Sequence, residues 1–195
     1  MTDQAHDPDK PAVARLGCFR RRGPRAAIAA VVVAVIVVAV MQARAAPRPT
    51  DLQRTSGERA PAIHLPDLVD PDRTIDLRDV AGRPVVLNFW ASWCVPCRRE
   101  MPTFPALYER FGDRVALIGI NHQDRRSNAL DLLTETGVRY PTGHDPDGQV
   151  ARAYGLFGMP TTVFISADGA ILARRTGEID ADELERTIDD LLLQP

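Results

Sequence analysis

The chain has 195 residues, 45% hydrophobic and 26% charged, which is ordinary for a globular protein able to bury a core without crosslinks. Residues 1–46 contain seven Lys or Arg and three Asp or Glu, so residues 47–195 carry a net charge of −6. This acidic balance lacks the positive charge that holds phosphate backbones, which excludes nucleic acid as an expected partner.

An apolar run follows a basic tail. Residues 1–25 are polar and end in a cluster of arginines, and residues 26–43 carry no charge. A membrane-spanning helix needs about 20 apolar residues, and basic residues before it favour a cytoplasmic N-terminus. We expect a cytoplasmic tail at 1–25, a single-pass transmembrane signal-anchor at 26–43 and an exported remainder. The alternative is cleavage near Ala43-Arg44-Ala45, which has the small-x-small pattern and would release the remainder.

Residues 44–60 are polar and contain several prolines and glycines, which predicts a flexible linker. The periodic pattern that follows predicts one domain over residues 61–195. Strands are predicted at 62–65, 74–77, 85–90, 115–120, 161–165 and 171–175. Helices are predicted at 94–111 with a kink at Pro102, at 127–136 with Ser127 as N-cap and Gly137 as stop, at 149–154 and at 180–193. This order predicts a three-layer α/β fold, with a mixed central sheet between helices.

Two cysteines, Cys94 and Cys97, lie at the junction between the strand at 85–90 and its helix. Cys94 falls at the helix N-terminus, where unpaired backbone N–H groups and the helix dipole stabilise a thiolate, the nucleophile of disulfide exchange. Cys97 lies one turn further on the same face, where it can attack a mixed disulfide formed at Cys94. Pro96 fits in the first turn because its missing N–H costs no helical hydrogen bond there. The third cysteine, Cys18, precedes the apolar run, and we assign it no role.

The run from Leu87 to Glu100 resembles the membrane-anchored thioredoxin-like reductases of the TlpA, ResA and CcmG type. The resemblance covers about residues 61–195 and implies a thioredoxin-like fold with a redox-active Cys94–Cys97 disulfide. It also implies an extracytoplasmic thiol:disulfide oxidoreductase that reduces exported proteins, such as apocytochrome c during cytochrome c maturation. A membrane protein is then expected to supply the electrons, and no cofactor or metal is expected.

The resemblance implies roles for four further residues around the cysteines. Met159 and Pro160 match the family's cis-proline loop, which lies against the active cysteines and helps to dock the substrate chain. Trp93, which we expect to be partly exposed, and Pro96 are assigned to the same docking face.

Glu100 matches the family's acidic residue, which is placed to accept the Cys97 proton and to raise the pKa of nearby thiols. The alternative is a first-turn glutamate that complements the helix dipole. Asn88 is a departure from general thioredoxins, which usually carry a buried Asp there as a proton acceptor. Because an amide cannot accept that proton, the role shifts toward Glu100.

Two other functions stay open. The same cysteines would serve a disulfide-forming oxidant, because the direction of exchange depends on a reduction potential that the sequence does not contain. A copper- or zinc-binding module of thioredoxin-like fold is the alternative of another class, although Cys94 and Cys97 supply only two of the four ligands that structural zinc needs. Three scattered histidines, His64, His122 and His144, show no ligand spacing, and His122 alone follows a predicted strand at the end where sites gather.

Overall fold

A computed structural model describes residues 31–35, 37, 52–55 and 57–194 of the chain. Residues 31–35 and 37 are helical, and no helix within the described ranges is both long and apolar enough to cross a membrane. The expected tail at 1–25, which includes Cys18, and the other residues of the expected anchor lie outside the described residues. The chain divides into compact units at 1–46 and 47–195, and the elements named below all belong to the second unit.

The described part of the second unit contains eight strands and five α-helices. The strands are β1 (Leu52–Arg54), β2 (His64–Pro66), β3 (Thr74–Asp76), β4 (Val85–Trp90), β5 (Ala116–His122), β6 (Thr142–Asp145), β7 (Thr161–Ile165) and β8 (Ile171–Thr176). The helices are α1 (Val95–Glu100), α2 (Phe104–Phe111), α3 (Arg126–Thr136), α4 (Gln149–Ala153) and α5 (Ala181–Leu192). A 3-10 turn at Met101–Thr103 separates α1 from α2, because Pro102 lacks the N–H that a continuous helix requires. The predicted kink at Pro102 is therefore confirmed.

The central sheet is mixed, as predicted. Over the described residues it contains six strands in the order β1-β8-β7-β4-β5-β6, and β2 and β3 form a separate antiparallel pair. β4, β5 and β6 run parallel, whereas β7 pairs antiparallel with both β4 and β8, and β8 pairs antiparallel with β1. The parallel strands end at the same edge of the sheet, which brings the residues that follow β4 and β5 together.

Helices cover the sheet on two faces, which explains why all of Val85–Trp90 is buried. Side chains of β4 alternate between two apolar clusters: Val86 and Trp90 pack in one, and Val85, Leu87 and Phe89 pack in the other. The first cluster also contains apolar residues of α2, α3 and α5, and the second contains residues of α4. The three-layer α/β arrangement is confirmed.

Two strands were not anticipated from the sequence. β1 lies within the expected linker at 44–60, yet it extends the sheet by pairing Leu52 with Arg175. β6 has the sequence Thr-Gly-His-Asp, which lacks the apolar alternation that predicts a strand. Its glycine has a packing reason, because a Cβ on Gly143 would lie 3.0 Å from the Leu65 side chain.

The start of α3 also differs from the prediction. Ser127 was expected to be the N-cap, and this was wrong: the helix begins at Arg126, with Arg125 in the cap position and no side-chain cap bond. The Arg126 side chain instead donates hydrogen bonds to the carbonyls of Leu68 and Val69, both at 2.8 Å, which fixes this end of the helix from outside. Gly137 ends α3 in the left-handed conformation, with φ 72°, as predicted.

Candidate active site

The two cysteines lie where β4 ends and α1 begins. Cys94 is the N-cap of α1, and its Sγ accepts a hydrogen bond from the Cys97 amide at 3.2 Å. The sulfurs are joined in a disulfide, with the two Cα atoms 5.3 Å apart, so the structure is that of the oxidised protein. Pro96 occupies the first turn of α1, where its missing N–H leaves no carbonyl unpaired.

A cleft of about 610 Å³ opens beside Cys94. Apart from Cys94, Gly158 and His122, its lining is apolar: Trp93, Val95, Pro96, Leu156, Phe157 and Met159. Three of these side chains are strongly exposed, with Trp93 at 58%, Val95 at 63% and Phe157 at 74%. Contiguous exposed apolar surface of this kind is typical of a binding site.

The loop that enters β7 forms one wall of the cleft. The peptide bond between Met159 and Pro160 is cis, as the resemblance implies, and Met159 lies in the cleft with Cys94. The Thr161 hydroxyl donates a hydrogen bond to the Gly158 carbonyl at 2.8 Å, which closes this loop on itself. β7 pairs with β4, so the sheet itself brings the loop and the cysteines to the same edge.

Glu100 is the last residue of α1 and is 1% exposed. Its Oε1 accepts a hydrogen bond from Asn88 Nδ2 at 2.9 Å, and its Oε2 accepts one from the Ile179 amide at 3.0 Å. Burial raises the pKa of this carboxyl to about 8, although both hydrogen bonds act in the opposite direction. Residues three apart on a helix are neighbours, so Glu100 lies on the same face as Cys97. A helix-dipole role does not fit, because a negative charge at the C-terminal end of a helix is unfavourable.

Asn88 joins Glu100 to the sheet. The side chain is 1% exposed, and its Nδ2 also lies 3.4 Å from the Thr162 hydroxyl on β7. The amide donates to the carboxyl and has no proton to take up or release, so Glu100 is the titratable member of this buried pair.

A second loop supports the active-site loop, and sequence reasoning missed it. Asp124, which follows β5, accepts hydrogen bonds from the Ser92 amide at 2.5 Å and the Ser92 hydroxyl at 2.8 Å. The indole Nε1 of Trp93 donates to the Gln123 carbonyl at 3.1 Å. The parallel pairing of β4 with β5 explains these contacts: Trp90 lies beside Asn121, so the residues that follow each strand are neighbours.

Two histidines lie near carboxylates. His64 Nδ1 lies 3.1 Å from Asp76 Oδ2, whereas His122, which lines the cleft, has its Nδ1 3.8 Å from Asp145 Oδ2, beyond hydrogen-bond distance. Among the residues that the structure describes, no group of three or more His, Cys, Asp or Glu side chains is placed to hold a metal ion.

Comparisons with known proteins agree with this geometry. Residues 56–174 match the model of the AhpC/TSA family. The chain is 38% identical over 123 residues to the thiol:disulfide interchange protein DsbE of Allochromatium vinosum, a match that covers 63% of this chain and 67% of that protein. It is 32% identical over 141 residues to the thiol-disulfide oxidoreductase ResA of Oceanobacillus iheyensis, covering 71% and 73% of the two chains. The crystal structure of a DsbF homologue from Corynebacterium diphtheriae aligns with a TM-score of 0.65 at 30% identity, covering 75% of this chain and 95% of that one.

Proposed function

The chain belongs to the AhpC/TSA family and is a thioredoxin-like thiol:disulfide oxidoreductase, and from this premise we propose that it works as a reductase of exported proteins. Its proposed substrates are disulfides exposed on extracytoplasmic proteins, with apocytochrome c during cytochrome c maturation as the leading example. Residues 26–43 anchor it to the cell membrane in a single pass, the N-terminus is cytoplasmic, and a membrane protein returns electrons to Cys94 and Cys97.

The direction of exchange rests on one observation, the burial of Glu100 and Cys97 on the same face of α1. Cys97 is 0% exposed, and a thiolate there would lose its hydration and face a carboxylate when Glu100 is ionised. Both effects disfavour a thiolate at Cys97 and so destabilise the reduced, ionised pair. Strong oxidants of this fold have the opposite property, a stabilised reduced form, so the environment of Cys97 favours a reductant.

The exchange takes place in two balanced steps. The Cys94 thiolate attacks one sulfur of the substrate disulfide, a Cys94–substrate bond forms, and the other substrate sulfur leaves as a thiolate that takes a proton from water. Cys97 then loses its proton to ionised Glu100 and attacks Cys94 Sγ, so that the Cys94–Cys97 bond forms and the second substrate sulfur leaves as a thiolate that takes a proton from water. Glu100 returns its proton to solvent before the next turnover. Burial raises the pKa of Glu100 to about 8, so the ionised fraction that can accept the Cys97 proton grows as the pH rises toward 8, and the second step should accelerate with it.

The substrate is held in the cleft beside Cys94. Trp93, Pro96 and Met159 line the cleft beside Cys94 and offer apolar surface on which an extended chain can lie, and the buried Pro160 holds the Met159 wall through its cis peptide bond. We expect unfolded or partly folded substrates, in which the segment around a disulfide is free to extend along the cleft.

The test is the reduction potential of the full chain in detergent, with Cys18→Ser so that only one thiol pair titrates. The protein is equilibrated in dithiothreitol or glutathione buffers, and free thiols are counted by alkylation. A value near or below that of thioredoxin, about −270 mV, supports the reductase. A value near about −120 mV would replace it with the disulfide-forming oxidant. A fusion reporter at the C-terminus tests the topology, and activity of a reporter that works only in the cytoplasm would contradict the exported location.

A further inference from the structure

We propose that Asp124 is a positioning residue for the exchange: its carboxylate holds the Ser92–Trp93 segment and so sets how a protein substrate meets Cys94. The inference rests on the proposed function, because it concerns the same cleft and the same cysteine.

The Asp124 carboxylate is shared by two loops. It accepts hydrogen bonds from the amide and hydroxyl of Ser92 at 2.5 and 2.8 Å, which belong to the loop between β4 and α1. It also accepts from Asn121 Nδ2 at 3.1 Å and from the Arg125 amide at 2.8 Å, in its own loop between β5 and α3. Hydrogen bonds to an ionised acceptor are about twice as strong as neutral ones, so this carboxylate ties the two loops firmly together.

The Trp93 side chain is fixed by Gln123, which precedes Asp124 in the loop between β5 and α3. Gln123 has φ 46°, a left-handed conformation that is uncommon for a residue of this type. In this conformation its carbonyl accepts the hydrogen bond from the Trp93 indole at 3.1 Å. The Asp124 backbone carbonyl in turn lies 3.1 Å from His144 Nε2, which joins the loop to β6.

The result is an exposed tryptophan that is held at both ends. Asp124 fixes the backbone immediately before Trp93, and Gln123 fixes the far edge of its ring. The ring is 58% exposed and would otherwise sample several rotamers, each of which a docking chain would have to select against. Binding such a side chain costs conformational entropy, and ordering it beforehand removes that cost. The contacts of Asp124 and Gln123 therefore lower the KM for substrates large enough to contact Trp93. A small disulfide that reaches only Cys94 gains nothing from them.

The experiment compares two substrates and three variants of the full chain in detergent. Insulin serves as the protein disulfide and hydroxyethyl disulfide as the small one. Asp124→Ala removes all four acceptor contacts, and Asp124→Asn keeps one acceptor oxygen for the Ser92 amide. The matched control is Asp131→Ala, an exposed aspartate on α3 whose loss changes the net charge equally.

We expect Asp124→Ala to raise the KM for insulin about tenfold, since losing hydrogen bonds to a charged group costs enough for one factor of ten. Its kcat and its rate with hydroxyethyl disulfide stay close to those of the parent. Asp124→Asn shows a smaller rise in KM, and Asp131→Ala shows none.

The inference is overturned if the KM for insulin is unchanged in both Asp124→Ala and Asp124→Asn. If Asp124→Ala does not fold, an unchanged KM in Asp124→Asn alone overturns it. Equal losses on both substrates also overturn it, because they would show a role in stability alone. Failure of the unmodified chain to reduce either substrate would instead refute the proposed function, so the two hypotheses fail separately.

Discussion

The surroundings of Cys94 differ from those of Cys97, although one disulfide joins them. Cys94 borders an open apolar cleft whose exposed side chains include Trp93 and Phe157. Cys97 is 0% exposed and shares its helix face with a protonatable carboxyl, Glu100. Under the proposed function, the contrast predicts a division of work in which the outer side, that of Cys94, meets the substrate and the inner side, that of Cys97, handles the proton. Each prediction below changes one side and asks whether the other is affected.

The largest effect is expected at the nucleophile itself. Cys94→Ser should abolish insulin reduction, because a serine hydroxyl is not an effective nucleophile toward a disulfide. Cys97→Ser should keep the first step and accumulate a mixed disulfide with the substrate, which intact mass spectrometry detects. Full reductase activity in Cys94→Ser would remove the basis for the division of work.

The inner side predicts a dependence of stability on pH. Burial raises the pKa of Glu100 from its ordinary value of 4.5 to about 8, so the folded, oxidised protein holds a proton that the unfolded chain has lost. Stability from this group is complete below its unfolded pKa and declines by roughly 1.4 kcal/mol per pH unit as the pH rises toward 8. Glu100→Gln should remove that decline. Denaturant unfolding of the oxidised parent protein and of oxidised Glu100→Gln between pH 5 and 9 measures this difference. If the free energy of unfolding depended on pH in the same way in both proteins, the raised pKa would be contradicted.

The same substitution should affect exchange. Without an acceptor for the Cys97 proton, Glu100→Gln should reduce turnover about a hundredfold, the usual scale for removing a general base. Its pH profile should lose the limb that belongs to Glu100. Circular dichroism serves as the control for the fold, and an unchanged profile would return Glu100 to a structural role.

The outer side predicts a smaller effect confined to protein substrates. Phe157→Ala should raise the KM for insulin about tenfold, because a docking aromatic typically contributes more than about 1 kcal/mol. Its melting temperature should stay unchanged, because the side chain is 74% exposed. Val69→Ala is the matched control, since Val69 is 64% exposed and does not line the cleft. Equal effects of the two substitutions would show that the cleft is not the docking surface.

The smallest effect is expected on the solvent face of α1. Arg99 forms an ion pair with Glu178, with Arg99 Nη2 2.6 Å from Glu178 Oε2, and both side chains are well exposed. Exposed pairs contribute about 0.2–1 kcal/mol, so Arg99→Gln should change the free energy of unfolding by less than about 1 kcal/mol and leave exchange unaltered. A large loss of activity would show that the solvent-exposed face of α1 also takes part in exchange.

Sequence reasoning succeeded where a pattern is local. Val85–Trp90 was predicted as a buried strand from its continuous apolar run, and the structure has a strand with the same bounds. The positions of Cys94 at a helix N-terminus and of Gly137 at a helix end likewise follow from nearby residues. These features need no knowledge of which elements meet.

Features that depend on distant contacts escaped prediction. The partner of Asp124 is Ser92, which no spacing rule connects to it. The strand at Thr142–Asp145 exists because β5 and the β2–β3 pair lie beside it, and its own residues carry no strand pattern. The pKa of Glu100 also needed the structure, since a glutamate at the third position after a cysteine has no particular burial until its surroundings are known.

The position of β4 within the sheet has a consequence for amide hydrogen exchange. β4 is paired on both edges, with β5 and β7, whereas β1 and β6 form the outer edges. Its amides should therefore exchange only when the whole domain opens, while those of the outer strands exchange through local fraying. Cys94 follows this inner strand after a short loop. The position of Cys94 relative to the sheet should therefore be unchanged when an outer strand opens locally. It should be lost only when the whole domain unfolds.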